Sequence, residues 1–145
     1  MNELVKIKIE TNEISIKNNN LPAGSFKIYP AFSRKTGHIK DSKYFTEITM
    51  EIKNTKDNPF PVDIYIRMTC IFDVANLQED QIDKMLKIQG MVTLIPYIRA
   101  TVSSLTALSM LPPIVLPIMD TLDIFPEDRA LIESLDEKNF DMTDS

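Results

Sequence analysis

Apolar and polar residues alternate through the first half of the chain, and the spacing lengthens to that of a helix in the second half. Val5, Ile7 and Ile9 alternate with Lys6, Lys8 and Glu10, and Ile14 and Ile16 alternate with Glu13, Ser15 and Lys17. A period of two marks a half-buried strand, because successive side chains point to opposite faces. A bend is expected near Thr11 and Asn12. Asn18 to Gly24 is turn chemistry, rich in Asn with Pro22 and Gly24. Phe26 to Arg34 reads as a short strand broken by Pro30 and therefore at a sheet edge, and Gly37 to Ser42 as a polar loop. Ile48, Met50 and Ile52 then alternate with Glu47, Thr49, Glu51 and Lys53. A turn cluster from Asn54 to Pro59 leads to Val62, Ile64, Ile66, Met68, Cys70 and Phe72, interleaved with Asp63, Tyr65, Arg67, Thr69 and Ile71. Such a succession suits an antiparallel meander with one face on a core and the other toward water.

From Asn76 the apolar stripe is helical: Ile82, Met85, Leu86, Val92, Ile95, Ile98, Val102, Leu105 and Leu108. Gly90 weakens its first part, and Pro96 is expected to kink or split it. Ala100, Ser103, Ser104 and Ala107 lie on another side. Small residues there let a second helix approach closely, including one from another subunit, or are plain solvent-side positions. The apolar loop Leu111 to Pro117 ends the helix. Asp120 is placed as the N-cap of a short helix, with Asp123 three residues on. Leu122, Ile124, Phe125, Leu131, Ile132 and Leu135 continue an apolar stripe. Pro126 interrupts it and can open a second short helix. Residues 136–145 read as an acidic, disordered tail after a single domain over residues 1–135.

Composition narrows the function classes. A chain of 145 residues, 43% hydrophobic and 26% charged, can bury one core. The formal net charge of −5 lacks the basic footprint expected of a nucleic-acid binder. No signal peptide is read at the N-terminus, so a cytoplasmic location is the default. Arg99, Thr101, Ser103, Ser104 and Thr106 interrupt the apolar back half, and Pro112 and Pro113 end it, which argues against membrane insertion. Cys70 is the single cysteine and falls on the apolar face of its strand, as a small core residue. His38 is the single histidine, and the three glycines, Gly24, Gly37 and Gly90, are scattered. Neither a metal ligand set, a phosphate cradle nor a matched acid–base pair emerges, so no cofactor and no enzyme activity are expected.

The order of these elements resembles the SecB family of protein-export chaperones, over about residues 3–135. Ile95, Pro96, Tyr97, Ile98 and Arg99, followed by the hydroxyl-rich run from Ala100 to Leu105, resemble the family's proline-containing helix. The loop Leu111 to Ile118 resembles its apolar loop, Asp120 to Phe125 its final helix start, Ile71 and Phe72 the end of a long strand, and Thr11 to Ile16 its first strand. The resemblance implies an α+β fold: a four-stranded antiparallel sheet packed with a long kinked helix and a C-terminal lid helix. It implies a homotetramer, a dimer of dimers, for which Ala100, Ser103, Ser104 and Ala107 are the candidate helix face read above from pattern. It also implies an ATP-independent holdase for non-native preproteins.

By position, the implied client groove comprises Phe26, Ile28, Tyr29, Phe32, Leu122, Phe125, Leu131 and Leu135, although each is equally readable as core. Family members that deliver cargo to the SecA ATPase use an acidic patch on the outer sheet face, onto which Glu13 and Asp63 map. Lys17 stands where a second acid of the first strand would be, and Tyr65 competes with Asp63 for the position on the last strand. The segment between Phe26 and Tyr44 is short for the family, the usual glycine pair before Ile71 is absent, and Pro126 breaks a helix that is normally continuous. Two other readings keep the fold and change the role: a chaperone dedicated to one partner such as an antitoxin, or an oligomeric interaction protein without holdase activity.

Overall fold

The computed structural model describes residues 6–117 and 119–133. Four strands, β1 (Lys6–Asn18), β2 (Ala31–Lys40), β3 (Lys43–Ile52) and β4 (Val62–Asp73), are followed by α1 (Glu79–Lys84), α2 (Gly90–Leu108) and α3 (Thr121–Ile124). A π-helical segment, Met85–Gln89, joins α1 to α2, and a 3-10 turn, Pro126–Asp128, follows α3. The sheet is antiparallel throughout, in the order β1-β4-β3-β2. Its inner face carries Thr46, Ile48, Met50 and Ile52 of β3 and Val62, Ile64, Ile66, Met68, Cys70 and Phe72 of β4, all buried. The first strand bends where expected. Its pairing with β4 shifts between Thr11 and Glu13, and the extra residue moves the inward positions from Ile7 and Ile9 to Ile14 and Ile16. Asn12 at the bulge accepts a hydrogen bond from Thr69 Oγ1 at 2.6 Å.

The third segment differs from its sequence reading. β2 starts after Pro30 and runs through Gly37 and His38 to Lys40, where a short strand and then a polar loop were expected. Pairing with β3 supplies what the weak local pattern lacked. Gly37 lies opposite Phe45, whose ring covers it so closely that a Cβ there would sit 2.7 Å from Cε1. His38 stacks on Tyr44 with ring centroids 4.6 Å apart, and its Nε2–H donates to the Asp41 carbonyl at 2.7 Å. The lone histidine is thus part of a hairpin end, where Asp41 takes a left-handed φ of 51°.

The helix also differs, and its irregularity comes before Pro96 rather than at it. Regular hydrogen bonding gives way at Met85–Gln89, whereas α2 runs on through Pro96. A π turn holds one more residue than an α turn, so the buried stripe slips by one position. Met91 and Leu94 are therefore buried, while Val92, expected in the stripe, is 54% exposed. Leu108, at the helix end, is also exposed. The bulge is fixed from the sheet: Thr46 Oγ1 donates to the Leu86 carbonyl at 2.6 Å. By length and composition the helix over Glu79–Leu108 could cross a membrane, but Met91, Leu94, Ile98 and Val102 are the side laid on the sheet core.

The short terminal helices follow their expected chemistry. Asp120 caps α3, its carboxylate accepting from Leu122 N at 3.2 Å, while Asp120 N donates to Asp123 Oδ2 at 3.3 Å. Pro126 does start a new turn, and residues 129–133 are helical.

Candidate functional site

Proline sets the shape of an apolar surface groove. After α2, Met110 adopts a left-handed φ of 61° and Leu111 N bonds back to the Thr106 carbonyl at 3.0 Å, so the chain reverses over the helix. Among the described residues no regular element follows until Thr121. The loop is held instead by side chains of α2. Ser103 Oγ donates to the Ile114 carbonyl at 3.0 Å, Thr106 Oγ1 accepts from Ile114 N at 2.9 Å, and Arg99 donates through Nε and Nη2 to the Leu116 carbonyl at 3.3 and 3.2 Å. These bonds satisfy the loop backbone from one side only. Leu116 then packs inward, fully buried, while Val115 is left 67% exposed.

Opposite this loop runs the long connection between β1 and β2. Its start is pinned by Asn19, which donates from Nδ2 to the Phe60 carbonyl at 3.1 Å and to Asp63 Oδ1 at 2.9 Å, and from its backbone N to the Pro61 carbonyl at 2.9 Å. Asp63 also accepts from Asn54 N at 2.9 Å. The Asn54 amide and the Asn19 side chain hold its carboxyl below the usual value of 3.8. Between the two loops lies an open groove of about 580 Å³. Leu21, Pro22, Phe26 and Ile28 form one wall, Leu111, Pro112, Pro113, Ile114 and Val115 the other, and Phe60, Pro61 and Val62 an end. Phe26 meets Phe60 edge to face with centroids 6.2 Å apart. Almost every side chain is apolar, and among the described residues no ionisable group lines the groove. Such a surface can hold apolar side chains of many shapes but cannot move protons.

The residues expected to form a site divide accordingly. Phe26 and Ile28 line the groove. Tyr29, 55% exposed, lines an adjacent hollow of about 360 Å³ that it shares with Phe26. Phe32 packs against the core from the inner face of β2. Leu122 and Leu131 are half-buried in the closing segment, and Phe125 is buried there, none of them in the groove wall. Leu135 lies outside the described residues. Phe60, Pro61 and the proline loop complete the groove and were not assigned to it from sequence. Their signal was an apolar run without any period, which neither a strand nor a helix can bury.

On the outer sheet face, Glu13 pairs with Arg67 at 3.5 Å, and Glu47 reaches the same guanidinium at 3.7 Å. Of the helix face read as small, Ala100, Ser104 and Ala107 are exposed, whereas Ser103 is turned to the proline loop. Cys70 is fully buried, and burial pushes its thiol up to about 11, so it is an inert core residue. Among the described residues no cluster of His, Cys, Asp and Glu could hold a metal ion.

The fold is thus α+β: a four-stranded antiparallel sheet with a long helix across it and an apolar groove between two loops. The family model described as preprotein translocase subunit SecB matches residues 8–130, and the chain belongs to the SecB family. An uncharacterised protein of Methanocaldococcus jannaschii is 28% identical over 99 residues, covering 68% of this chain and 61% of that protein. The chain thus matches somewhat under two thirds of that relative's length. Among solved structures, the Mycobacterium tuberculosis Rv1957 SecB-like chaperone, in complex with a ChAD peptide from the Rv1956 HigA1 antitoxin, superposes with a TM-score of 0.68. It is 19% identical, with 81% of this chain and 92% of that one covered, and it shows the fold to be that of SecB-like chaperones.

Proposed function

We propose that the protein is an ATP-independent holdase that binds non-native polypeptides in the groove between the β1–β2 connection and the proline loop. The observation that carries this reading is the groove itself: about 580 Å³, apolar, open, and walled by two loops whose backbones are tied down. Burying one Leu- or Phe-sized side chain is worth about 1.5–3 kcal/mol. Three or four such side chains reach the roughly 8 kcal/mol of a micromolar complex. The protein works without cofactor in the cytoplasm.

It acts as a homotetramer. Ile7 and Ile14, on the inner face of the edge strand β1, are 47% and 42% exposed, and Val92 and Tyr97 are more than half exposed on α2 beside Ala100, Ser104 and Ala107. These apolar surfaces suit contacts between copies.

Holding clients comes ahead of delivery to SecA. A basic partner needs free acids, yet Glu13 is shared with Arg67 and Asp63 is bonded by Asn19 and Asn54, and Lys17 and Lys53 line a shallow hollow together with both acids. The narrower role, a chaperone dedicated to one partner, draws support from the antitoxin peptide carried by the structural relative. Two measurements decide. Stoichiometric protein should suppress aggregation of a chemically unfolded test protein, and undiminished aggregation would falsify the holdase reading. Polypeptides captured from a native lysate should be many and unrelated for a general holdase; one dominant partner would establish the dedicated role in its place.

A further inference from the structure

The inner face of β2 holds a charged residue where the pattern calls for an apolar one. Arg34 pairs across the sheet with Ile48, which is fully buried. Its guanidinium grips both oxygens of Asp128, Nη1 to Oδ2 at 2.6 Å and Nη2 to Oδ1 at 2.8 Å, and the two side chains are 8% and 3% exposed. The same group lies 4.3 Å from the centre of the Phe125 ring, and Nη1 also reaches the Lys87 carbonyl in the π-helical segment at 3.4 Å. Arg34 therefore joins an edge strand, the irregular turn of the long helix and the closing segment. Pro126 makes this possible: with Phe125 at φ −129° and ψ 83°, the chain breaks between α3 and the next turn and aims Phe125 and Asp128 at one point.

We infer that Arg34 is a positioning residue for the client site, a latch that seats residues 121–133 as a lid over the inner face of β2. This rests on the groove being the client site. Phe32 lies two residues before Arg34 on the same face of β2, and the groove residues Ile28 and Phe26 lie just upstream of it. Releasing the lid extends the apolar floor from the groove along the strand. The chemistry suits a closure that opens. Arg and carboxylate match in a fork, so the closed state has one geometry. On opening, both charges regain water, whereas a purely apolar contact would leave apolar surface exposed. An ion pair of this burial is no stronger a fastening than well-packed apolar side chains, so its value lies in defining two states.

The test uses the full-length protein, hydrogen exchange read by mass spectrometry, and stopped-flow binding of a fluorescein-labelled apolar peptide of about 20 residues. Asp128→Asn and Arg34→Gln each leave a buried partner uncompensated. Each should speed exchange in residues 121–133 by at least on the order of a hundredfold. Strands β3 and β4 should keep their protection, and peptide association should quicken. Arg34→Lys keeps charge without the fork and should fall between. The double change Arg34→Met with Asp128→Leu replaces the pair by apolar contact and should restore slow exchange and slow association. Unchanged exchange and association in both single variants overturn the latch, as does acceleration spread evenly over the sheet. A wild-type protein that binds no peptide sinks the client reading instead, whatever the exchange shows.

Discussion

Gly90→Ala would ordinarily stabilise a helix, because alanine is favoured over glycine by about 1 kcal/mol in a helix interior. Here it should destabilise. A Cβ at Gly90 would lie 2.5 Å from Thr46 Oγ1 and 2.7 Å from both Thr46 Cγ2 and Thr46 Cβ. Rotating the threonine clears the first two atoms but not its Cβ, which moves only with β3. The helix must therefore rise from the sheet at the point where Thr46 donates to Leu86. Overpacking of this kind costs about 1–3 kcal/mol, and the rigid contact belongs at the upper end. Stretching the hydrogen bond to the π-turn carbonyl adds about 1 kcal/mol. Set against the helix gain, the net loss is about 3 kcal/mol, a fall of roughly 10 °C in Tm for a domain of this size. Urea unfolding followed by circular dichroism measures it, with protomer concentration held fixed so that any self-association contributes equally to both proteins. A Gly90→Ala protein as stable as the parent, or more so, would refute the packing of the bulge described above.

Three further outcomes test the groove, the assembly and the loop anchor. Phe26→Ser removes the ring that faces Phe60 in the groove, and client peptide affinity measured by fluorescence anisotropy should drop roughly 10- to 100-fold; an unchanged Kd would place the client elsewhere. Ser104→Trp puts a bulky ring on the exposed small face of α2, and light scattering after gel filtration should show a smaller particle; an unaltered mass would rule that face out of the assembly. Asp63 has a lowered folded pKa, so its contribution is complete above the unfolded value near 3.8 and is lost as pH falls through the folded value. Asp63→Asn should therefore lower stability at neutral pH by about 1–2 kcal/mol and weaken the acid-side fall in a pH series of urea midpoints; an identical acid limb would show that Asn19 and Asn54 do not depend on the charge.

The parts of the fold legible in the sequence were those where one residue's pattern repeats its neighbour's. β3 and β4 alternate without interruption, and the bend in β1 was marked by a break in that alternation. Asp120 and Pro126 announced the last turns by side-chain chemistry that acts within four residues. What stayed hidden depended on distant partners. β2 is a strand because Phe45 covers Gly37 and because β3 offers an edge. The π segment exists where Thr46, 40 residues away in sequence, takes the Leu86 carbonyl, and that single insertion displaced Val92 from the core. Phe26 and Ile28, named by family position, do line this groove, whereas the residues of the facing wall carried no signal that named them. An apolar loop without a period shows that its side chains are incompletely buried and says nothing of what they face.

For the proposed holdase, the loops that form the groove would resolve a conflict inherent in holding many different clients. A binding surface made of a strand or helix would present side chains at fixed spacing and so prefer one sequence. A free loop would present them at any spacing but would lose conformational entropy on each binding event. In this chain the backbone is fixed while the groove-facing side chains are not. Ser103, Thr106 and Arg99 bond the carbonyls and amide of the proline loop from behind, Asn19 does the same for the opposite wall, and the prolines restrict what remains. Backbone ordering is then a cost met once in folding, and only side-chain rotamers are left to adjust to the client. Ser103→Ala and Arg99→Leu each remove a bond to the loop without touching its groove-facing atoms. Each should weaken peptide binding several-fold, mainly through a less favourable binding entropy in calorimetry. A loss carried wholly by enthalpy would mean that these residues shape the groove's contacts rather than its order.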